Sequence, residues 1–75
     1  MNDKSNALKN YQAAIQKDKK YALAYFNAAN IYFHQRQFKQ ALSYYTAALV
    51  NNPKDESAFL NRAITKVRVD IFMVE

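Results

Sequence analysis

The chain has 75 residues, which allows at most one small domain, at the margin of what a single hydrophobic core stabilises. It contains no cysteine, which excludes disulfides and Cys-based zinc sites, and no glycine, which excludes the Gly-rich phosphate loops of nucleotide-binding proteins. The formal net charge is +5, but apart from Lys17-Asp18-Lys19-Lys20 the basic residues are scattered, as ordinary helix-surface solubility requires.

A single proline and an abundance of Ala, Leu, Gln and Lys point to an all-α chain. The first predicted helix runs from Asp3 to Lys17, with Ala7, Leu8, Tyr11, Ala14 and Ile15 on one face and Asp3 or Ser5 as its cap. A loop at Asp18-Lys19-Lys20 follows. The second helix, Tyr21 to Gln35, is apolar almost all round, as expected of a helix packed on more than one side. Only the hydrophobic pattern marks a break at Gln35-Arg36-Gln37.

The third helix, Phe38 to Val50, turns Phe38, Ala41, Leu42, Tyr45, Ala48 and Leu49 inward. Asn51 or Asn52 is the expected left-handed cap, and Pro53 prevents continuation. Asp55 is placed to cap a fourth helix from Glu56 to Val69, so Asp55-Glu56 reads as a helix start rather than a catalytic carboxylate pair. After Lys66 the pattern becomes ragged. Val67, Val69 and Ile71 alternate with polar residues before Phe72-Met73-Val74, a tail that either extends the helix or frays. Val67 to Glu75 is too short and too charged to span a bilayer, and Met1 is followed by polar residues rather than an apolar signal run. The default expectation is a soluble intracellular protein of the cytoplasm with no membrane contact.

The chain repeats itself. Ala7-Leu8, Tyr11 and Ala13-Ala14 recur 34 residues later as Ala41-Leu42, Tyr45 and Ala47-Ala48. A period of this length holding two helices signals a helical-repeat array. Large residues (Tyr25, Tyr32, Tyr45) alternate with small ones (Ala29, Ala41, Ala48), which lets helices approach closely and fills the gaps between helix pairs.

Tyr25, Ala28, Ala29, Tyr32, Ala41, Tyr45, Ala48 and Pro53 fall at the spacing W-x2-L-G-x2-Y-x8-A-x3-F-x2-A-x4-P. The sequence resembles the tetratricopeptide repeat family on these residues, with an aromatic for Trp, Ala for Leu and Gly, and Tyr for Phe. The resemblance implies a solenoid fragment of about four antiparallel helices with a right-handed superhelical turn. Residues 22–55 form one complete repeat. Residues 1–21 carry the second helix of a preceding repeat, with Lys19 in the place of Pro. Residues 56–75 carry the first helix of a following one: Phe59 matches Tyr25, Asn61 matches Asn27 and Ala63 matches Ala29, but Arg62 and Lys66 depart from the pattern.

Nothing in the residues indicates an enzyme, a metal site or a cofactor. His34 is the one histidine and reads as a surface or groove residue. The resemblance instead implies a protein-interaction scaffold whose first helices line a concave surface. Subtracting the packing positions leaves Leu23, Phe26, Asn27, Asn30, Phe33 and His34 on one face of the second helix, and Ser57, Leu60, Asn61, Ile64 and Arg68 on the fourth. The expected groove is Phe26, Asn27, Asn30, Phe33, His34, Leu60, Asn61, Ile64 and Arg68. Its asparagines offer a donor and an acceptor each, and its phenylalanines offer apolar anchors.

A carboxylate clamp of the kind some family members use is not supported. Asn30 and Asn61 match two of its positions, but Phe26 stands where a lysine belongs. Two alternatives remain. One is self-association through the uncapped faces of the first and last helices. The other, less favoured, is binding of single-stranded RNA, which would need more cations among the groove aromatics.

Overall fold

The computed structural model describes residues 3–72 and holds four helices there: α1 Asp3–Lys17, α2 Ala22–His34, α3 Phe38–Asn51 and α4 Glu56–Phe72. The connections span 18–21, 35–37 and 52–55, short enough to force each helix back along its predecessor as an antiparallel neighbour. Each helix packs on the next, most extensively α2 on α3, then α3 on α4 and α1 on α2. The described residues hold no strand.

Local chemistry sets the joints. Asp18 organises the first: its carboxylate accepts from the Lys20 amide at 3.0 Å and its carbonyl from the Tyr21 amide at 3.1 Å. α2 is one residue shorter at each end than the sequence predicts, with Tyr21 and Gln35 as flanking caps. Its C-terminus is a Schellman turn. The Gln37 amide reaches back to the Tyr32 carbonyl at 2.9 Å and the Arg36 amide to Phe33 at 3.0 Å. This turn requires a left-handed residue, and Arg36 takes that role at φ 62° where glycine would be the unstrained choice.

The expected left-handed asparagine after α3 is absent. Asn51 is still helical, with its amide nitrogen donating to the Ala47 carbonyl at 2.9 Å. Asn52 is extended at φ −148° and closes the helix by donating its own amide to Ala48 at 2.8 Å. Asp55 does cap α4, its carboxylate accepting from the Ala58 amide at 3.1 Å. α4 runs three residues past the predicted Val69 end. Tertiary packing explains the extension, because the Phe72 ring stacks on Phe38 with centroids 5.9 Å apart and planes 18° from parallel. The tail therefore continues as helix through Phe72 rather than fraying before it, and Met73 and Val74 lie outside the described residues.

The core is built from alanines. Ala24, Ala28 and Ala29 of α2, Ala41 and Ala48 of α3 and Ala58 of α4 are all buried, so the backbones approach closely. Tyr45, 2% exposed, is the largest fully buried side chain. Phe26 bridges two buried clusters, one of Ala29, Ala41 and Tyr45, the other of Ala48, Leu49 and Ala58. α1 contributes no fully buried residue; Leu8, Tyr11, Ala14 and Ile15 are half-buried, and Gln12 donates from its amide to the Tyr32 hydroxyl at 3.1 Å. On α4 the repeat-equivalent residues Phe59 and Ala63 are exposed, and the buried positions are Ala58 and Thr65. The Thr65 hydroxyl is satisfied inside its own helix, donating to the Asn61 carbonyl at 2.7 Å.

Two substitutions test this packing. Ala48→Leu inserts volume between buried alanines and should lower stability in urea by roughly 1–3 kcal/mol. Arg36→Gly relieves the left-handed residue and should raise stability by about 0.5–1 kcal/mol. Unchanged midpoints for both variants would contradict the helix register and the turn.

Candidate functional site

α2 and α4 both pack on α3 and leave a cleft of about 320 Å³ between them. Its lining comes from three helices: Asn30, Phe33 and His34 from α2, Tyr45 from α3, and Asn61, Ile64 and Arg68 from α4. The three- and four-residue spacing within α2 and within α4 is what brings each set onto one face.

A polar network closes the base of the cleft. The Tyr45 hydroxyl donates to Asn30 Oδ1, and Asn61 Nδ2 donates to the same oxygen at 3.4 Å. Burial pushes the Tyr45 phenol above its ordinary pKa, while a hydrogen bond from Asn61 works in the opposite direction. An amide carries two donors and an acceptor, so this arrangement uses Asn30 as acceptor and Asn61 as donor. The Asn30 amide nitrogen and the Asn61 carbonyl oxygen remain for an incoming group, and no buried side-chain polar atom among the described residues is left unsatisfied.

The cleft wall is aromatic. Phe33 meets Phe38 edge-on at 5.2 Å and His34 at 6.0 Å. The Arg68 guanidinium lies over Phe33 at 5.4 Å and over Phe38 at 6.0 Å, within reach of both ring faces. Arg68 has no carboxylate partner among the described residues. The nearby acid, Asp70, is engaged by Lys66 at 2.9 Å.

Six of the nine residues expected from the sequence line this cleft: Asn30, Phe33, His34, Asn61, Ile64 and Arg68. Phe26, Asn27 and Leu60 do not. Phe26 turns its ring onto the Tyr45 edge at 5.8 Å and belongs to the core. Asn27 is half-buried, and Leu60 is exposed beyond the cleft. Tyr45 is the lining residue that sequence reasoning assigned to packing alone; its hydroxyl was the available signal, because a buried Tyr seeks a partner for that group. Among the described residues no cluster of three or more His, Cys, Asp or Glu side chains is positioned to hold a metal ion. No described helix is long and apolar enough to cross a membrane.

Residues 22–55, which hold α2, its turn and α3, match the family model for the tetratricopeptide repeat. The chain belongs to the tetratricopeptide repeat family. It is similar to tetratricopeptide repeat protein 6 of Homo sapiens, at 57% identity over 65 residues that cover 87% of this chain and 12% of that protein. The chain thus spans a small part of the length of this relative. No solved structure matches it. As a class, tetratricopeptide repeat proteins are scaffolds for protein–protein contact rather than enzymes, and the alanine-lined α2–α3 pair is this chain's instance of the repeat.

The Tyr45 network gives a measurable signature. Tyr45→Phe should cost about 1 kcal/mol at neutral pH by removing the hydroxyl from the two asparagines. The folded state holds this phenol protonated above its ordinary value of 10.0, so its contribution is complete below that pH and is lost as pH rises through the folded value. Tyr32 is raised in the same direction by burial and the adjacent Tyr44 phenol. Tyr45→Phe should therefore flatten part of the loss of stability expected above about pH 10. An unaltered alkaline limb would contradict the buried-phenol assignment.

Proposed function

We propose that the cleft between α2 and α4 is part of the concave surface of a tetratricopeptide array and binds a peptide segment of a partner protein. In this reading residues 22–55 are one complete repeat. α1 is the second helix of the preceding repeat, and α4 the first helix of the next. The observation that carries the reading is the convergence, in one cleft, of a free amide donor on Asn30, a free amide acceptor on Asn61 and the apolar surfaces of Phe33 and Ile64. Such a set holds a polar group and an apolar side chain of one ligand together.

A second reading, self-association, has one observation in its favour. Phe59 is 67% exposed on α4, although its repeat equivalent Tyr25 packs on Tyr44 of α3 with centroids 6.1 Å apart. A second copy offers a helix for that face. Binding of single-stranded RNA draws no comparable support, since Arg68 is the one Lys or Arg in the cleft lining.

Selection of displayed random peptides against the immobilised chain, followed by amide-shift mapping, tests the cleft. Selected peptides should shift Asn30, Phe33, Asn61 and Ile64. Ile64→Ala, at an exposed position, should keep the parent's melting temperature and weaken binding about tenfold. Peptides that instead map to the lysine-bearing faces of α1 and α3 would overturn the reading. Sedimentation across a wide concentration range tests the second reading. It predicts an association that Phe59→Asp abolishes, and a monomer at every concentration would exclude it.

A further inference from the structure

Away from the cleft, three phenols meet on the α1 side of the α2–α3 pair. Tyr44 of α3 faces Tyr32 and Tyr25 of α2, with ring centroids 5.0 Å and 6.1 Å away and planes tilted by 50° and 55°. Gln12 of α1 donates from its amide to the Tyr32 hydroxyl at 3.1 Å, which fixes the outer end of that ring. Burial and the Tyr44 phenol beside it hold Tyr32 protonated, so the hydroxyl ends lie together as well as the rings.

Both tyrosines are half-buried rather than sealed in the core. A cavity of about 270 Å³ lies between α1 and α3, lined by Gln12, Ile15, Gln16 and Tyr44, and it gives solvent access to the Tyr44 ring. The contact between Tyr32 and Tyr44 is made within one repeat, by two helices that both lie inside residues 22–55.

A phenol that loses one electron and its hydroxyl proton becomes a phenoxyl radical, whose unpaired electron is shared with the ring carbons ortho to the oxygen. Two such radicals held ring to ring join through those carbons. The biaryl product is twisted and carries its two hydroxyls side by side. Rings tilted by 50° with adjacent hydroxyl ends are already arranged in that sense, and fixed proximity makes the coupling effectively unimolecular. Tyr25 is the poorer partner because its ring is farther from Tyr44. Tyr45 is excluded: it is 2% exposed, its ring faces Phe26 and its hydroxyl donates to Asn30.

We infer that Tyr32 and Tyr44 form an oxidative modification site, at which a diffusible one-electron oxidant joins the two rings as a dityrosine that ties α2 to α3. Each phenol gives one electron to one equivalent of oxidant and one proton to water. The new bond forms between ortho carbons, and the two ortho hydrogens move to the oxygens as the rings regain aromaticity. The link closes a loop over the turn at 35–37, and like any cross-link it limits the unfolded chain. It therefore stiffens the hairpin that carries Asn30, Phe33 and Tyr45.

Photolysis of the full chain with ruthenium tris-bipyridyl and persulfate provides the oxidant for a test. The oxidised monomer should be lighter by two hydrogen atoms and show the blue emission of dityrosine. Trypsin should then yield residues 21–36 joined to residues 40–54 through Tyr32 and Tyr44. In unfolding urea the yield of this pair should fall about tenfold. Tyr32→Phe and Tyr44→Phe should each abolish the pair and Tyr25→Phe should keep it, all with the parent's far-UV spectrum. The peptide map of the parent identifies the joined residues even if a variant fails to fold. The cross-linked chain, once separated, should unfold at a higher urea concentration than the parent.

The inference is overturned if oxidation joins only separate copies of the chain, or if fragment spectra place the link on other tyrosines. It is also overturned if the link forms equally in urea, or if the cross-linked chain unfolds at or below the parent's midpoint.

Discussion

The structure depends on one large ring held among small neighbours. Tyr45 is buried where α2 presents Ala29, α3 presents Ala41 and α4 lies close enough for Asn61 to join its hydrogen-bond network. Alanines on every helix of the core let the backbones approach, and the tyrosine fills what they leave. Its hydroxyl cannot be buried unpaired without cost, so the ring's placement also fixes Asn30 and Asn61. The same side chain that sets the helix spacing therefore orients the two amides at the base of the cleft. In a chain this short, with α1 adding no fully buried residue, few other contacts could take over that role.

Much of the fold was legible because a repeat states its packing twice. The 34-residue echo, the alternation of Tyr with Ala and the Asp55 cap all correspond to observed structure. What could not be read has particular causes. Arg36 adopts φ 62° without the glycine that usually announces such a turn, so the local sequence carried no sign of it. The last turn of α4 exists because Phe72 reaches Phe38, a contact far apart in sequence. Thr65 stands at the repeat position of Ile31, and only its bond to the Asn61 carbonyl makes a buried hydroxyl tolerable there. For the site, helical periodicity placed Asn30, Phe33, Asn61, Ile64 and Arg68 on facing stripes. It could not separate Phe26, which the core claims, from Phe33, which the cleft keeps.

The electrostatics of the cleft differ from those of the surface as a whole. The net charge of +5 is spread over the helices, and only Arg68 delivers a cation into the lining. Arg68 is held over two phenylalanine rings rather than by an acid, which keeps its donors available. The chain corresponds in length to 12% of the human relative.

The central claim is that Tyr45 ties the packing of the helices to the geometry of the cleft. A double-mutant cycle between Tyr45→Phe and Asn30→Ala, read from urea unfolding, tests it most directly. The account predicts a coupling of about 1 kcal/mol, because each substitution removes the other's hydrogen-bond partner. Strictly additive losses would contradict it, since they would mean that the buried ring and the cleft amide act independently.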